Sequence, residues 1–161
     1  MTAEISWCLN AQVMIFNNTE TILIGIGNSG RGDDGLGWAF LESIDQKEYF
    51  KGQIHYRYQL GIEDAELISH ATEIVFVDAF AQPLADGFEW KPCRPARDFA
   101  FTSHIIRPET LLYLCEDLYD KLPSAHLLLI GGHSWNLEVG LSNRAQQNLL
   151  AALQFFNGIL L

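Results

Sequence analysis

The fold of this chain is decided by the stretch Thr21-Ile-Leu-Ile-Gly-Ile-Gly-Asn-Ser-Gly-Arg-Gly-Asp-Asp-Gly-Leu-Gly37. Its first six residues, Thr21 to Ile26, are β-prone, apolar and few enough for a buried strand. The glycines that follow let the backbone adopt a positive φ or approach a ligand closely. Asp33 and Asp34 then open a helix. The stretch therefore predicts a strand, a glycine-rich loop and the start of a helix.

Two adjacent acids at the end of this loop need an explanation. A single acid in a first helical turn is accounted for by the N–H groups and the dipole of the helix N-terminus. A second acid, displayed beside a loop that has few side chains, favours a cation site. We therefore regard Asp33 and Asp34 as candidate ligand-binding residues, with helix capping as the alternative.

The same glycines also match the Gly-x-Gly-x-x-Gly pattern of dinucleotide-binding proteins. That site needs a helix that begins at the third glycine, and an acid at the end of the second strand. Here Gly30 is followed by Arg31-Gly-Asp-Asp34, which places carboxylates where a phosphate would lie, and the next predicted strand ends in Tyr56-Arg-Tyr-Gln59 without an acid. The sequence thus argues against a classical NAD site.

Predicted strands and helices alternate along the chain, as in a βα-wound sheet. Proline within 85–94 favours an edge strand there, because proline cannot donate to a ladder. We expect strands at 21–26, from near Gly52 to 58, and at 73–78, 85–94 and 126–130, and helices at 36–44, 62–70, after residue 104 and at 143–157.

These elements predict an α/β fold, with a single three-layer αβα domain over residues 21–161. The expected sheet is twisted and mostly parallel, with about five strands and one antiparallel edge strand. Residues 1–20 are expected to form an N-terminal extension ahead of the domain.

Composition narrows the classes of partner. The chain has 161 residues, of which 48% are hydrophobic, so that it can form one domain with a full core. A net charge of −10 argues against nucleic acid and against anionic membranes. No apolar run approaches the ~20 residues that span a bilayer. The three cysteines are far apart and form no Cys-x-x-Cys pair, which favours the cytoplasm over a disulfide-forming compartment: Cys8, Cys93 and Cys115.

Two further polar residues are expected near Asp34. Asp78 ends the apolar run Ile74-Val-Phe-Val77, and His104 precedes a predicted helix. Ligand sites of open α/β sheets lie at the carboxyl ends of the strands, so we expect Asp34, Asp78 and His104 to converge there. Together they would form a set of two oxygen ligands and one nitrogen ligand with open coordination positions. A turn cap for Asp78 and a packing role for His104 are the alternatives.

At this point the residues resemble a known family. The segment Gly25-Ile-Gly-Asn-Ser-Gly-Arg-Gly-Asp-Asp-Gly-Leu-Gly37 is similar to the opening motif of the [NiFe]-hydrogenase maturation endopeptidases, which trim the C-terminus of the hydrogenase large subunit. Further blocks of that family resemble three later parts of the chain, in the same order and spacing: Tyr58–Leu67 with Ile74–Ala79, Ser103–Leu112, and Gly140-Leu-Ser142.

The resemblance implies a phosphorylase/hydrolase-like fold and an aspartic-type endopeptidase that activates its hydrogenase partner. It implies that Asp34, Asp78 and His104 contact nickel and are the catalytic residues. Gly27, Asn28 and Asp33 would shape the binding cleft around them. Nickel would be carried by the substrate, the precursor of the large subunit, while the peptidase itself is expected to be a cytoplasmic monomer. Nickel would act there as a docking mark or as a Lewis acid.

Alternatives to this function remain open. The loop Gly131-Gly-His-Ser-Trp-Asn136 lacks the glutamine or glutamate and the proline that many family members have there. His133 and Trp135 either face the partner or belong to an ordinary surface loop. A non-catalytic protein that senses nickel or the partner could share the fold. The first loop also resembles that of peptidyl-tRNA hydrolases, although their Thr-Arg-His-Asn segment does not follow.

Overall fold

The computed structural model describes residues 17–97 and 105–160, and in this part of the chain strands and helices alternate. The strands are β1 (Thr21–Ile26), β2 (Gln53–Arg57), β3 (Glu73–Phe80), β4 (Phe88–Pro92) and β5 (Ser124–Gly131). The helices are α1 (Leu36–Asp45), α2 (Asp64–Ser69), α3 (Pro108–Tyr119) and α4 (Asn143–Leu160).

The strands form one mixed sheet in the order β2-β1-β3-β5-β4. The first four strands in this order pair in parallel, and β4 pairs antiparallel with β5 at the edge. The α/β fold and the antiparallel edge strand are therefore confirmed. Because the three central pairings are parallel, the loops after β1 and β3 leave the sheet at the same edge.

Apolar side chains alternate between the two faces of the central strands, as the pleat requires. In β3, Val75 and Val77 lie in a core with α1 and α4, while Ile74 and Phe76 lie in a second core with α2 and α3. Phe40 of α1 and Phe156 of α4 meet edge to face in the first core, with ring centroids 5.3 Å apart. These two cores confirm the predicted three layers.

Several element boundaries differ from the sequence expectation, and three of these differences have a visible structural basis. Asp33 and Asp34 lie in a single 3-10 turn, Gly32–Gly35, and α1 begins only at Leu36. Strand β3 continues two residues beyond Asp78, because Ala79 and Phe80 still pair with β5. Helix α2 begins at Asp64 rather than Ile62, since the Asp64 carboxylate accepts a hydrogen bond from the backbone N–H of Gly61 at 2.9 Å.

The described end of the N-terminal segment is bonded to the domain. The side-chain amide of Asn17 donates to the carbonyl of Tyr49 at 3.0 Å, and its oxygen accepts from the backbone N–H of Lys51 at 2.9 Å. The expected extension over residues 1–20 otherwise lies outside the described residues. Among the helices that the structure describes, none combines the length and the apolar character needed to cross a membrane.

Candidate functional site

Glycines bring the loop after β1 against the end of β3. Gly27 has a φ of +136°, and a Cβ on this residue would lie 2.0 Å from the carbonyl oxygen of Asp34. A Cβ on Gly37 would lie 2.5 Å from the carbonyl oxygen of Val77. Both positions therefore require glycine, so that α1 and the Asp34 turn can sit directly on the carboxyl ends of β1 and β3.

A cleft of about 500 Å³ opens at this edge of the sheet. It lies between the loop after β1, the end of β3 and the residues that precede α3. Its polar lining includes both carboxylates that the sequence predicts at this edge and three cations: Asp34, Asp78, Arg31, Lys91 and Arg107. The basic residues were missed by the sequence analysis, although Arg31 and Arg107 lie inside two of the motifs it used.

Asp34 is held by the loop that precedes it. The backbone N–H of Asn28 donates to its carboxylate Oδ2 at 3.0 Å, and the same N–H lies 3.2 Å from its carbonyl oxygen. The side-chain oxygen of Asn28 in turn accepts from the backbone N–H of Gly30 at 2.9 Å. Asp34 itself lines the cleft. Gly27 and Asn28 therefore shape the position of Asp34.

Asp78 lies on β3 beside Asp34 in the same cleft. The pKa of Asp78 is raised from 3.8 to about 7, mainly because the carboxyl is buried. A hydrogen bond from the backbone N–H of Ala79 opposes this rise, and the negative charge of Asp34 adds to it. That hydrogen bond is 2.8 Å long. A carboxylate with a raised pKa beside a second carboxylate is an arrangement that a cation would stabilise.

His104 lies outside the described residues, so its expected place in the site stays a prediction. The residue that follows it, Ile105, lines the cleft together with Ile106 and Arg107. Within residues 17–97 and 105–160, no three side chains of His, Cys, Asp or Glu are close enough to hold a metal ion. Two of the three predicted ligands, Asp34 and Asp78, are thus brought into one cleft by the described structure.

Asp33 has a different environment from the one expected of a cleft residue. It is fully buried, and its carboxylate accepts four hydrogen bonds from one distant segment. The donors are the backbone N–H groups of His133, Ser134 and Ser142 and the hydroxyl of Ser142, at 2.7–2.8 Å. Both oxygens are therefore used by the protein itself. These contacts assign Asp33 to holding the segment 133–142 against the Asp34 turn, and not to contacting a ligand.

The segment 133–142 contains His133 and Trp135, for which the sequence left open a partner-facing role or an ordinary surface loop. His133 is exposed, and its backbone is fixed by Asp33. The ring of Trp135 lies over Gly132, and a Cβ on that glycine would lie only 2.8 Å from Trp135 Cη2. In the sequence, the glycine pair 131–132 indicates this contact, because glycine leaves room for the ring.

The fold has known counterparts, although no family model and no curated protein sequence matches the chain. The structure is similar to the [NiFe] hydrogenase maturation protease HycI from Thermococcus kodakarensis KOD1, with a TM-score of 0.66, 18% identity, and 94% of this chain and 98% of that chain covered. It is also similar to the hydrogenase-maturating endopeptidase HybD from E. coli, with a TM-score of 0.65, 18% identity, and coverage of 86% and 90%.

A third similar structure is the hydrogenase 2 maturation peptidase from Thaumarchaeota archaeon SCGC_AB-539-E09. Its TM-score is 0.63, its identity 18%, and the coverage 86% of this chain and 96% of that chain. The chain therefore has the fold of the hydrogenase maturation proteases, over nearly their whole length.

Proposed function

We propose that this protein is an endopeptidase that removes the C-terminal extension of a [NiFe]-hydrogenase large-subunit precursor after nickel has been inserted. The observation that carries the proposal is the pairing of Asp34 and Asp78 in one cleft at the carboxyl edge of a sheet with the maturation-protease fold. The resemblance of the chain's sequence motifs to those of the maturation endopeptidases supports the same function.

In this proposal nickel belongs to the substrate. Carboxylate oxygens and an imidazole nitrogen are ligands that nickel accepts, so Asp34, Asp78 and the predicted third ligand His104 would contact the metal of the seated precursor. Asn28 orients Asp34 through its backbone N–H. Asp78, whose pKa is about 7, would lose its proton as the cation approaches, because a nearby positive charge favours the ionised carboxylate.

Placing the metal in this cleft would bring the scissile peptide beside it. In the alternative arrangement, Asp34 would accept a proton from the attacking water instead of contacting the metal. The metal itself would supply Lewis acidity to the carbonyl, or mark where the precursor docks. Both roles would use Asp34 and Asp78, which line the same cleft.

The test is incubation of the purified protein with nickel-loaded and metal-free forms of the cognate precursor, with intact mass as the readout. We expect only the nickel-loaded precursor to be shortened. Asp34→Ala, Asp78→Asn and His104→Ala should each slow cleavage by at least about 10–100-fold, the range seen even when only a residue behind a metal ligand is changed. Asp117→Asn, at an exposed position on α3, is the matched control and should cut normally.

The other outcomes separate the alternative functions. Binding of the precursor without cleavage would identify a sensor that shares the fold. Cleavage of the metal-free precursor at the same rate would contradict the nickel dependence. Hydrolysis of peptidyl-tRNA, with no action on either precursor, would replace the proposal with the other enzyme class.

A further inference from the structure

An apolar loop tip projects from the surface beside the candidate site. Leu137 and Val139 are 87% and 88% exposed, the highest values among the large hydrophobic side chains that the structure describes as exposed. Single exposed apolar residues are ordinary, but two on one loop tip beside a cleft need a reason.

The backbone of this tip is fixed, which distinguishes it from a mobile loop. Its two ends are held by the buried Asp33 carboxylate through Ser134 and Ser142. Its centre is held by the backbone N–H of Gly32, which donates to the carbonyl of Glu138 at 2.8 Å. The hydrogen bonds of Asp33 and Gly32 therefore hold the backbone of the loop that carries these two exposed apolar side chains. Such preorganisation reduces the entropy that binding would otherwise cost.

The tip is continuous with the candidate site. Val139 and Leu141 line an outer groove together with Ser29, Trp38 and Glu42. Ser29 belongs to the same glycine-rich loop that carries Asp34 into the cleft. The ring of Trp38 lies 5.0 Å from that of Tyr58, and Tyr58 itself lines the cleft and is 65% exposed. An apolar surface thus runs from the cleft across Tyr58 and Trp38 to Val139, and Leu137 lies two residues before Val139 on the same loop.

Acidic side chains border this surface. Glu42 lines the outer groove, and Glu138 lies between the two apolar residues of the tip. Burial is the main cause that raises the pKa of Tyr56, and the negative charges of Asp45 and Glu42 add to it, so both acids lie near this ring. A complementary surface has an apolar centre and basic residues at its edge. A second copy of this chain carries the same acidic border and a charge of −10, so repulsion disfavours self-association here.

We infer that Leu137, Val139, Trp38 and Tyr58 form a docking surface for the folded body of the precursor, which presents an apolar patch bordered by lysine or arginine. This inference rests on the proposed function, in which the C-terminal segment of that precursor occupies the cleft. The docking surface would then hold the body of the substrate while the cleft acts on its end, so that recognition does not depend on the cleaved sequence alone.

The experiment measures binding and cleavage separately, with the nickel-loaded precursor as the probe. The double variant Leu137→Ala/Val139→Ala keeps every backbone contact of the loop. We expect it to raise both Kd and KM by about tenfold or more, as for buried apolar anchors of interfaces, while kcat stays within about twofold of the wild type. The matched control is Leu118→Ala/Leu122→Ala, which removes two exposed leucines at the opposite edge of the sheet and should change neither.

A second variant tests the charge complementarity. Glu42→Gln/Glu138→Gln should raise Kd at about 50 mM salt, and its difference from the wild type should vanish near about 500 mM salt, where surface charges are screened. Two results for the variant Leu137→Ala/Val139→Ala would overturn the inference. The first is a Kd equal to that of the wild type. The second is a wild-type dimer on size exclusion that the variant no longer forms, which would assign the surface to a second copy.

Failure of the proposed function gives a different pattern. If the wild type binds the precursor but does not cut it, and the tip variant loses binding, the docking surface stands and the peptidase proposal fails. If the wild type cuts and the tip variant binds and cuts equally well, the docking surface alone is wrong. A wild type that neither binds nor cuts contradicts both.

Discussion

Ser142 donates twice to Asp33, with its backbone N–H to Oδ1 at 2.7 Å and its hydroxyl to Oδ2 at 2.7 Å. The same hydroxyl accepts from the backbone N–H of Ala145 at 3.2 Å, in the first turn of α4. One serine therefore connects the acid next to Asp34 with the start of the last helix. The geometry of the candidate cleft is tied in this way to residues more than a hundred positions later in the chain.

Removing the Asp33 carboxylate is expected to destabilise the whole domain. Asp33→Ala leaves the backbone N–H groups of His133, Ser134 and Ser142 without their acceptor, and each such group costs about 1–3 kcal/mol. We expect a loss of about 4 kcal/mol in the free energy of unfolding, measured by urea denaturation at pH 7. Ser142→Ala, which keeps the backbone bond, should cost only about 1–2 kcal/mol.

The contribution of Asp33 to the free energy of unfolding should also depend on pH. Burial alone would raise the pKa of Asp33, but hydrogen bonds from His133, Ser142 and Ser134 outweigh burial and hold it below 3.8. A carboxylate with a lowered pKa stabilises the fold above its unfolded pKa and loses that contribution as pH falls through the folded value. The gap between wild type and Asp33→Ala should therefore narrow below about pH 4. A gap under about 1 kcal/mol at pH 7 would contradict the assignment.

The close contact between Gly27 and the backbone of Asp34 provides another prediction. Gly27→Ala forces a side chain into a positive φ and places its Cβ 2.0 Å from the Asp34 carbonyl oxygen. The loop must move, so we expect a large loss of stability and, if the variant folds, a loss of precursor cleavage. Gly158→Ala is the control: its Cβ meets nothing within 4 Å, and alanine in α4 should raise stability by up to about 1 kcal/mol. Equal melting temperatures for Gly27→Ala and the wild type would refute the argument.

Local pattern was enough to predict the order of elements and the shared edge of Asp34 and Asp78. The continuous apolar run from Ile74 to Val77 and the glycine-rich loop after β1 are properties of short segments, and parallel pairing then fixes which loops meet. The end of β3 was placed too early, because an acid inside a strand looks like a strand end until the pairing with β5 is known.

The role of Asp33 could not be read in the same way. Its partners lie about a hundred residues later, and no periodicity connects Asp33 with His133 or Ser142. The sequence therefore suggested that Asp33 and Asp34 belong to one site. In the structure Asp33 is buried, whereas Asp34 lines the cleft. The place of His104 was derived from the order of elements alone, and it stays a prediction.

Chelation is expected to leave the stability of the isolated protein unchanged. The two cores on either side of the sheet are formed by apolar side chains and do not depend on a metal. An open site with three protein ligands also lacks the closed four-ligand shell of a structural zinc site. Differential scanning calorimetry with and without EDTA should therefore give the same Tm. A fall of tens of degrees on chelation would reveal a structural metal and contradict the open site.

The last prediction concerns the pH dependence of Asp78. Its folded pKa of about 7 lies above the ordinary value of 3.8, because burial and the charge of Asp34 disfavour its ionised form. Between these two values the folded state binds more protons than the unfolded state, so this group lowers stability as pH rises from about 4 to about 7 and has no further effect above it.

Asp78→Asn removes this penalty and keeps the oxygen that accepts from the Ala79 N–H. With EDTA present throughout, we expect its Tm to match the wild type near pH 4 and to exceed it at pH 8. The rise in the pKa of Asp78 corresponds to about 4 kcal/mol at most. Screening by water at this partly exposed carboxylate reduces the expected gain in stability to about 2 kcal/mol, or about 4–8 °C in Tm. Asp117→Asn controls for the loss of one negative charge, and its difference from the wild type should not grow over this range. If Asp78→Asn were no more stable than the wild type at pH 8, Asp78 would not be the strained carboxylate of this cleft, and cation binding would have no electrostatic penalty there to relieve.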